Sequence, residues 1–447
     1  MRDLVIFGII FGLLPFVFKR PALGALLFTW ISLMNPHRLA YGAAYNFQFA
    51  AVVAGITILS MLMSKEPKRF PLTPVTVTLL LFYAWMNLTS QFALEPGLVW
   101  REWDRVTKTF LMVAITLMVI NTEKNLKLFV WVVALSLGIY GLKGGLFTIA
   151  SGGHYRVFGP DGSYIAENNS MALALVVALP MIWYLRSQVK SKLVSMGLLA
   201  IVIFTSVSAM GSYSRGALLG GAAMLVFLWL KSPKKAQTGL AVVVIGVLIA
   251  CIMPEAWYAR MDTINDYQED SSALGRINAW YFAINIANSH LLGGGFNVFT
   301  PRLFMQYAPD PLGYHVAHSI YFQVLGDHGY VGLIMFLLLM LFSWRTGTRI
   351  IKFCGKNPEL KWASDLAKMA QVSIIGYAVS GAFLSLAYFD LYYDIIIILV
   401  LLEKLLLLKQ PLSFGERMQA AQVPGDKHVS AKLTKELPCP APHPPSV

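Results

Sequence analysis

The chain has 447 residues, 57% hydrophobic and 13% charged, with a mean hydropathy of +0.61. Soluble domains carry about 25% charged residues, so this composition excludes a water-soluble globule and calls for lipid as the main solvent. The net charge of +13 does not imply nucleic acid, because its Lys and Arg residues lie in short clusters between apolar runs, as the positive-inside rule requires; some of them suit anionic lipid headgroups.

A helix rises about 1.5 Å per residue, so crossing about 30 Å of hydrocarbon takes about 20 apolar residues. Windows of that size predict helices near 4–18, 21–34, 45–63, 74–92, 105–120, 125–149, 169–185, 193–210, 214–230, 237–253, 318–343, 366–386 and 390–408. The first, Leu4 to Phe18, resembles a signal-peptide core, but it has no small-residue cleavage site and runs into Lys19-Arg20-Pro21. It reads as a retained span. The first two windows are short enough to form a hairpin, which leaves twelve or thirteen spans. The fold class is therefore all-α, a polytopic membrane protein.

The connections alternate in character. Lys19 and Arg20, Lys65 to Arg69, Lys124 and Lys127, Arg186 to Lys192, Lys231 to Lys235, and Arg345 to Lys361 mark one side, expected to be cytoplasmic. The other side carries 35–45, 93–104, 151–168, a tight turn at 211–214, and one large loop over 254–317. That loop holds a helix-like stretch, 276–290, then Gly293-Gly294-Gly295. Loops of this length are usually functional or unstructured; the aromatics here favour order. The layout is thus helices in 1–253, a loop domain in 254–317, helices in 318–410, and a polar, Pro-rich tail in 411–447 expected to be disordered. Cys251, Cys354 and Cys439 are too scattered for a disulfide framework or a metal cluster.

Four polar features fall on the non-cytoplasmic side. Gly211-Ser-Tyr-Ser-Arg215-Gly216 opens a span; Arg215 either snorkels to the membrane surface or serves a ligand. Small residues at Gly216, Gly220 and Gly221 allow close helix approach. Arg276 begins the loop helix, where its charge opposes the helix dipole; either an anionic ligand or one of Asp262, Asp266, Glu269 and Asp270 compensates. His315 and His318, three apart, would share a face if helical, and a neutral imidazole there suits general-base work. No neighbouring Glu or Cys completes a metal site with them. Last, Arg156-Val-Phe-Gly159-Pro160-Asp161-Gly162 through Glu167-Asn168-Asn169 is rich in turn residues, and its Arg156 and Glu167 can line a pocket.

Ser214-Arg215-Gly216 opening a helix, Arg276 to Trp280 before a glycine turn, and His318-Ser319 followed by Gly329-Tyr-Val-Gly332-Leu resemble the O-antigen ligase/polymerase family over about residues 200–345. Met34-Asn35-Pro36-His37-Arg38 and the 159–169 segment are similar to its O-glycosylation ligase branch. Asp327 departs from the Glu expected there, and no role is assigned to it. The resemblance implies that Arg215 and Arg276 contact the diphosphate of an undecaprenyl-diphosphate glycan and that His318 serves the acceptor hydroxyl. His315, Arg156, Glu167 and Tyr321 are then contacts for acceptor or sugar.

The implied activity is glycosyl transfer without metal or cofactor, with inversion, at the periplasmic face of the bacterial inner membrane. Lipid A–core is the expected acceptor; a protein hydroxyl or a second lipid-linked glycan would use the same donor. A transporter of lipid-linked glycan or anions is the reading from another class, since the arginines could form an anion pathway. It would show a polar path reaching both faces. A non-catalytic scaffold would tolerate loss of Arg215 and His318.

Overall fold

The computed structural model describes residues 1–231 and 271–408, with scattered positions between 235 and 258. The expected span at 237–253, the first part of the long loop including Asp262 to Asp270, and the tail beyond 408 lie outside the described residues.

The described residues hold helices and no strands. In chain order these are α1 (Arg2–Lys19), α2 (Pro21–Met34), a 3-10 turn (Pro36–Leu39), α3 (Ala43–Asn46), α4 (Phe49–Met63), α5 (Pro74–Gln91), α6 (Pro96–Val119) and α7 (Glu123–Ala150). There follow α8 (Asn168–Gln188), α9 (Lys192–Gly211), α10 (Arg215–Lys231), α11 (Ser271–Ser289), α12 (Pro301–Tyr307) and α13 (Ile320–Cys354). A short 3-10 turn (Pro358–Leu360), α14 (Lys361–Gly381) and α15 (Asp390–Leu408) complete the series. Each described apolar window has its helix, so this is an all-α membrane protein. Four of these helices, α7, α8, α9 and α13, are long and apolar enough to cross a membrane by themselves, and α2 and α4 are shorter apolar helices.

Local chemistry sets the helix starts. Proline stands at the beginning of α2, α5, α6 and α12, where its missing N–H is no loss. Thr73 and Thr76 form a reciprocal capping box for α5. Thr122, Ser191 and Thr300 accept from the backbone N–H three residues on. The contact clusters form one compact unit over Met1–Glu403; a second begins at Lys404, of which the described part continues α15.

α13 is broken. Gly329 has φ 66° and ψ −172°, a conformation essentially restricted to glycine. The glycine turn fills the break: Gly294 N–H donates to the Gly326 carbonyl and Gly295 N–H to the Asp327 carbonyl, both at 2.8 Å. On the other side, Trp85 Nε1 donates to the His328 carbonyl at 2.9 Å, and Thr89 Oγ1 lies 2.7 Å from His328 Nδ1. The buried Asp327 carboxylate accepts from Tyr388 at 2.9 Å and, at 3.5 Å, from Val298 N–H. Asp327 and His328 therefore pin the long connection between α10 and α13 onto the bundle. Leu94 N–H to the Gly294 carbonyl, 2.9 Å, and Arg302 to Glu95, 2.7 Å, extend the same seam.

Candidate active site

The elements that carry Arg215 and His318 both contact the end of α14 or the short segment 382–389 that joins α14 to α15. Arg215 begins α10 after Tyr213, whose φ is +60°, and Ser214 Oγ caps the helix from the Ala217 N–H at 3.3 Å. A methyl group on Gly216 would come within 3.0 Å of the Phe383 Cβ, so the Arg215 helix lies hard against the end of α14. One residue past α14's last serine, a methyl on Gly381 would lie 2.6 Å from the Ile320 side chain. Ile320 follows His318 by two residues. Ala387 N–H then donates to Gln323 Oε1 at 3.1 Å. Arg215 and His318, about a hundred residues apart in sequence, thus sit on two elements that share one wall.

His318 has φ +42°. Left-handed backbone is uncommon for residues other than Gly, though less so for Asn, Asp and His, and such conformations gather at functional sites. Two contacts of Trp280 hold the residues around it. Trp280 Nε1 donates to the Ala317 carbonyl at 2.9 Å, and the Trp280 ring stacks on Phe322 at 4.9 Å. Ser319 is buried behind it. His318 and His315 both precede α13, so they do not share a helix face as their spacing suggested. Burial, with the charge of Arg276 and the neighbouring His315 added to it, lowers the His318 pKa from 6.5 to about 4. Its imidazole is neutral at neutral pH, as a base must be.

Arg276, on α11, is near enough for its charge to act on His318. That helix begins at Ser271, five residues earlier than the sequence suggested, so Arg276 lies beyond the first turn, where a helix dipole acts weakly. The acids proposed to balance it, Asp262, Asp266, Glu269 and Asp270, are outside the described residues. The His315 ring rests on the backbone beside Arg276: a methyl on Gly275 would lie 2.6 Å from it. His315 Nδ1 is buried with no hydrogen-bond partner among the described residues. One turn along α11, Asn278 shapes the loop that carries both histidines. Its amide donates to the carbonyls of Asp310 and Gly313 and accepts from the Asp310 N–H, each at 2.9 Å.

The remaining sequence-predicted residues are less closely gathered. Arg156 is exposed, with its guanidinium 5.9 Å from the centre of the Tyr213 ring. Its segment is tied to the Arg215 turn by Val157 N–H to the Gly211 carbonyl, 3.1 Å, and Asn168 to the Ser212 carbonyl, 2.7 Å. Glu167 is exposed at the start of α8 and makes no capping bond. Tyr321 donates its hydroxyl to the Ala378 carbonyl at 2.9 Å, which ties α13 to α14. Among the described residues no three His, Cys, Asp or Glu side chains cluster in a way that could hold a metal.

A polar group absent from the sequence reading lies at the far end of the 382–389 wall. Tyr164 packs against Phe389 at 6.0 Å, donates to Glu102 Oε1 at 2.5 Å, and carries the Arg105 guanidinium 4.4 Å above its ring. Burial first, and then Glu102, hold the Tyr164 phenol well above its usual range, so it donates rather than ionises. Below it the buried Asp390 accepts from Thr109 at 2.5 Å and from Ser32. The available signal was the Glu102–Arg105 pair, i and i+3 in the charged first half of α6, which also carries Arg101, Asp104 and Lys108 ahead of its apolar second half.

Two family models divide the chain between them. Residues 1–190 match a family of unknown function (DUF5935), and residues 199–337 match the O-antigen ligase family. No curated relative matches. Arg215, Arg276, His315, His318 and Tyr321 fall in the second match; Arg105, Arg156, Tyr164 and Glu167 fall in the first. The second match supports, in general terms, a function of O-antigen ligase or polymerase type. Over residues 199–337, then, this membrane protein is similar to the O-antigen ligase family.

Proposed function

We propose that the protein transfers a preassembled glycan from undecaprenyl diphosphate to a sugar hydroxyl of lipid A–core at the periplasmic face of the inner membrane. The observation that carries this reading is the convergence of Arg215 and His318 on one wall, with Arg276 close enough to lower the pKa of a histidine that is already largely buried.

The chemistry follows from the groups present. The acceptor oxygen attacks C1 of the glycan as its proton passes to the neutral His318 imidazole. The C1–O bond to the diphosphate breaks, and its electron pair leaves on the diphosphate. Arg215 and Arg276 meet that growing charge with forked donors, which favour the transition state over the ground state. Attack opposite the leaving group inverts the anomeric centre. His315, Arg156, Glu167 and Tyr321 are proposed to contact acceptor or sugar. A lipid-borne donor fits a site set among membrane helices rather than on a soluble domain.

A second reading keeps the donor and changes the acceptor to a protein hydroxyl. It is favoured by the resemblance of 34–38 and 159–169 to the O-glycosylation branch, and by the bonds that tie the second segment to the Arg215 turn. The test is transfer by the purified protein from undecaprenyl-diphosphate-linked glycan to lipid A–core, to protein and to a second lipid-linked glycan. Product on lipid A–core supports the first reading. Product only on protein, or only on lipid-linked glycan, replaces the acceptor. No product, with lipid-linked glycan crossing a proteoliposome bilayer, would replace the enzyme with a transporter.

A further inference from the structure

α8 and α9 pack against each other as a hairpin, and its two free ends meet beside Arg215: Asn168, at the start of α8, donates to the Ser212 carbonyl just past α9 at 2.7 Å. The closed end is the short turn 189–191. Arg186 stands at that end, 18 residues along α8 from Asn168. At about 1.5 Å per residue this is about 27 Å, close to the thickness of the hydrocarbon core, about 30 Å. Arg186 therefore belongs to the membrane surface opposite Arg215, the side that the Lys and Arg clusters mark as cytoplasmic.

The Arg186 guanidinium lies 4.8 Å from the centre of the Trp183 ring. Trp183 is exposed, and exposed indoles of membrane helices collect at headgroup level. Among the described residues Arg186 has no hydrogen bond or ion pair, and its Nε is shielded from water without an acceptor. A C-terminal helix end favours the charge but gives that N–H nothing to bond, so a partner from outside the chain is called for. Lys190 and Lys192 follow in and after the turn, exposed and without a carboxylate partner among the described residues. On the same side Lys127, Arg349 and Lys361 do reach carboxylates. From this turn an apolar stripe runs into the membrane. Leu193, Met196 and Ile203 are exposed on α9, spaced to share one face, and α9 is the least buried of the four long apolar helices.

We propose that the α8–α9 turn binds the phosphate of an anionic phospholipid. Arg186, supported by Trp183, meets the phosphate with its forked donors. Lys190 and Lys192 add positive potential at the headgroup, and the α9 stripe lies along an acyl chain. The site is independent of the ligase reading. A diphosphate held at Arg215 cannot occupy it, because the length of α8 separates the two ends.

Tryptophan quenching tests this on the full-length protein in phosphatidylcholine vesicles. A rising fraction of the lipid is replaced with brominated phosphatidylglycerol or, as the zwitterionic comparison, brominated phosphatidylcholine. The difference between wild type and Trp183→Phe isolates the signal of Trp183. For that signal, half-quenching should need about fivefold less phosphatidylglycerol than phosphatidylcholine, or a larger difference still, since one basic residue near a charged surface alone supplies about that factor. Arg186→Gln should reduce the preference about fivefold, and Arg186→Lys should retain part of it. Lys65→Gln, which removes an exposed cation from another turn of the same side, should leave it unchanged. Equal quenching of Trp183 by the two lipids would overturn the proposal, as would a preference undiminished in Arg186→Gln. An equal loss in Lys65→Gln would also overturn it, by showing diffuse attraction to a basic surface. Should Arg186→Gln fail to fold, Lys190→Gln combined with Lys192→Gln reads the same site: a reduced preference upholds it and an unchanged one overturns it.

Discussion

Trp280 donates its indole N–H to the Ala317 carbonyl at 2.9 Å, which joins the helix of Arg276 to the backbone of His318. The same ring stacks on Phe322, one turn into the next helix. The groups proposed as base and anion binder, contributed by separate elements, are thereby tied together, and a misplacement of about 1 Å can cost about a hundredfold in rate.

Trp280→Phe removes that bond and keeps an aromatic over Phe322. The expected result is a fall in kcat of about tenfold or more, with the donor KM changed little and the thermal transition lowered by only about 1 kcal/mol of stability. Single-turnover transfer measured beside thermal unfolding separates the two effects.

The pH profile of kcat/KM should be flat from about pH 5 upward through neutrality. His318 titrates at about 4, chiefly through burial and then through Arg276 and His315, and protonation below that pH removes the base. An unperturbed histidine would give an acid limb near 6.5 instead. Replacing Arg276 with Gln removes a positive neighbour, so in the residual activity the limb should move upward. It should stop short of 6.5, because the larger cause remains.

Transfer should persist in excess EDTA. Two guanidiniums on the departing diphosphate supply the charge stabilisation that a divalent cation supplies elsewhere. Activity lost to EDTA and restored by one cation would remove this part of the account.

Asp327→Ala leaves the Tyr388 hydroxyl and the Val298 N–H unpaired in a buried seam and should destabilise the protein by about 1–3 kcal/mol. Asp327→Asn keeps an acceptor for Tyr388 and should retain most activity. Gly329→Ala should be worse than either for stability, since its added methyl would meet the Leu291 carbonyl at 2.5 Å in a backbone conformation closed to alanine. Thermal unfolding of the three variants in detergent gives the order.

Tyr321→Phe discriminates packing from substrate contact. Its hydroxyl bonds the Ala378 carbonyl, and loss of that bond should lower stability by about 1 kcal/mol. A large rise in either KM beyond that would uphold its proposed contact with acceptor or sugar, and unchanged KM values would reduce it to packing.

The helices were legible because lipid imposes a long apolar period on the chain, and windows such as 21–34 and 390–408 coincide with helices at the same bounds. Arg215, Arg276 and His318 stood out as charged or titratable groups beside apolar spans. Their meeting did not. The approach of the elements that carry Arg215 and His318 depends on contacts of Gly216 with Phe383 and of Ile320 with Gly381, at and just past the end of α14, whose sequence carries no chemical signal. The length of α11 was also hidden, because Ser271 to Gly275 has little helical pattern of its own. His315 and His318 looked helical by spacing, but the Trp280 bond and the left-handed His318 backbone belong to tertiary structure. Glu102 and Arg105 were visible as a pair, yet nothing local points from them to Tyr164, 59 residues on.

The most direct measurement is donor binding beside single-turnover transfer for Arg215→Ala, Arg276→Ala and His318→Ala in nanodiscs with undecaprenyl-diphosphate-linked glycan. The account predicts that His318→Ala binds donor within about threefold of wild type but does not transfer, while each arginine variant loses both transfer and donor affinity. Transfer by all three within a few-fold of wild type would contradict it and remove these residues from the reaction.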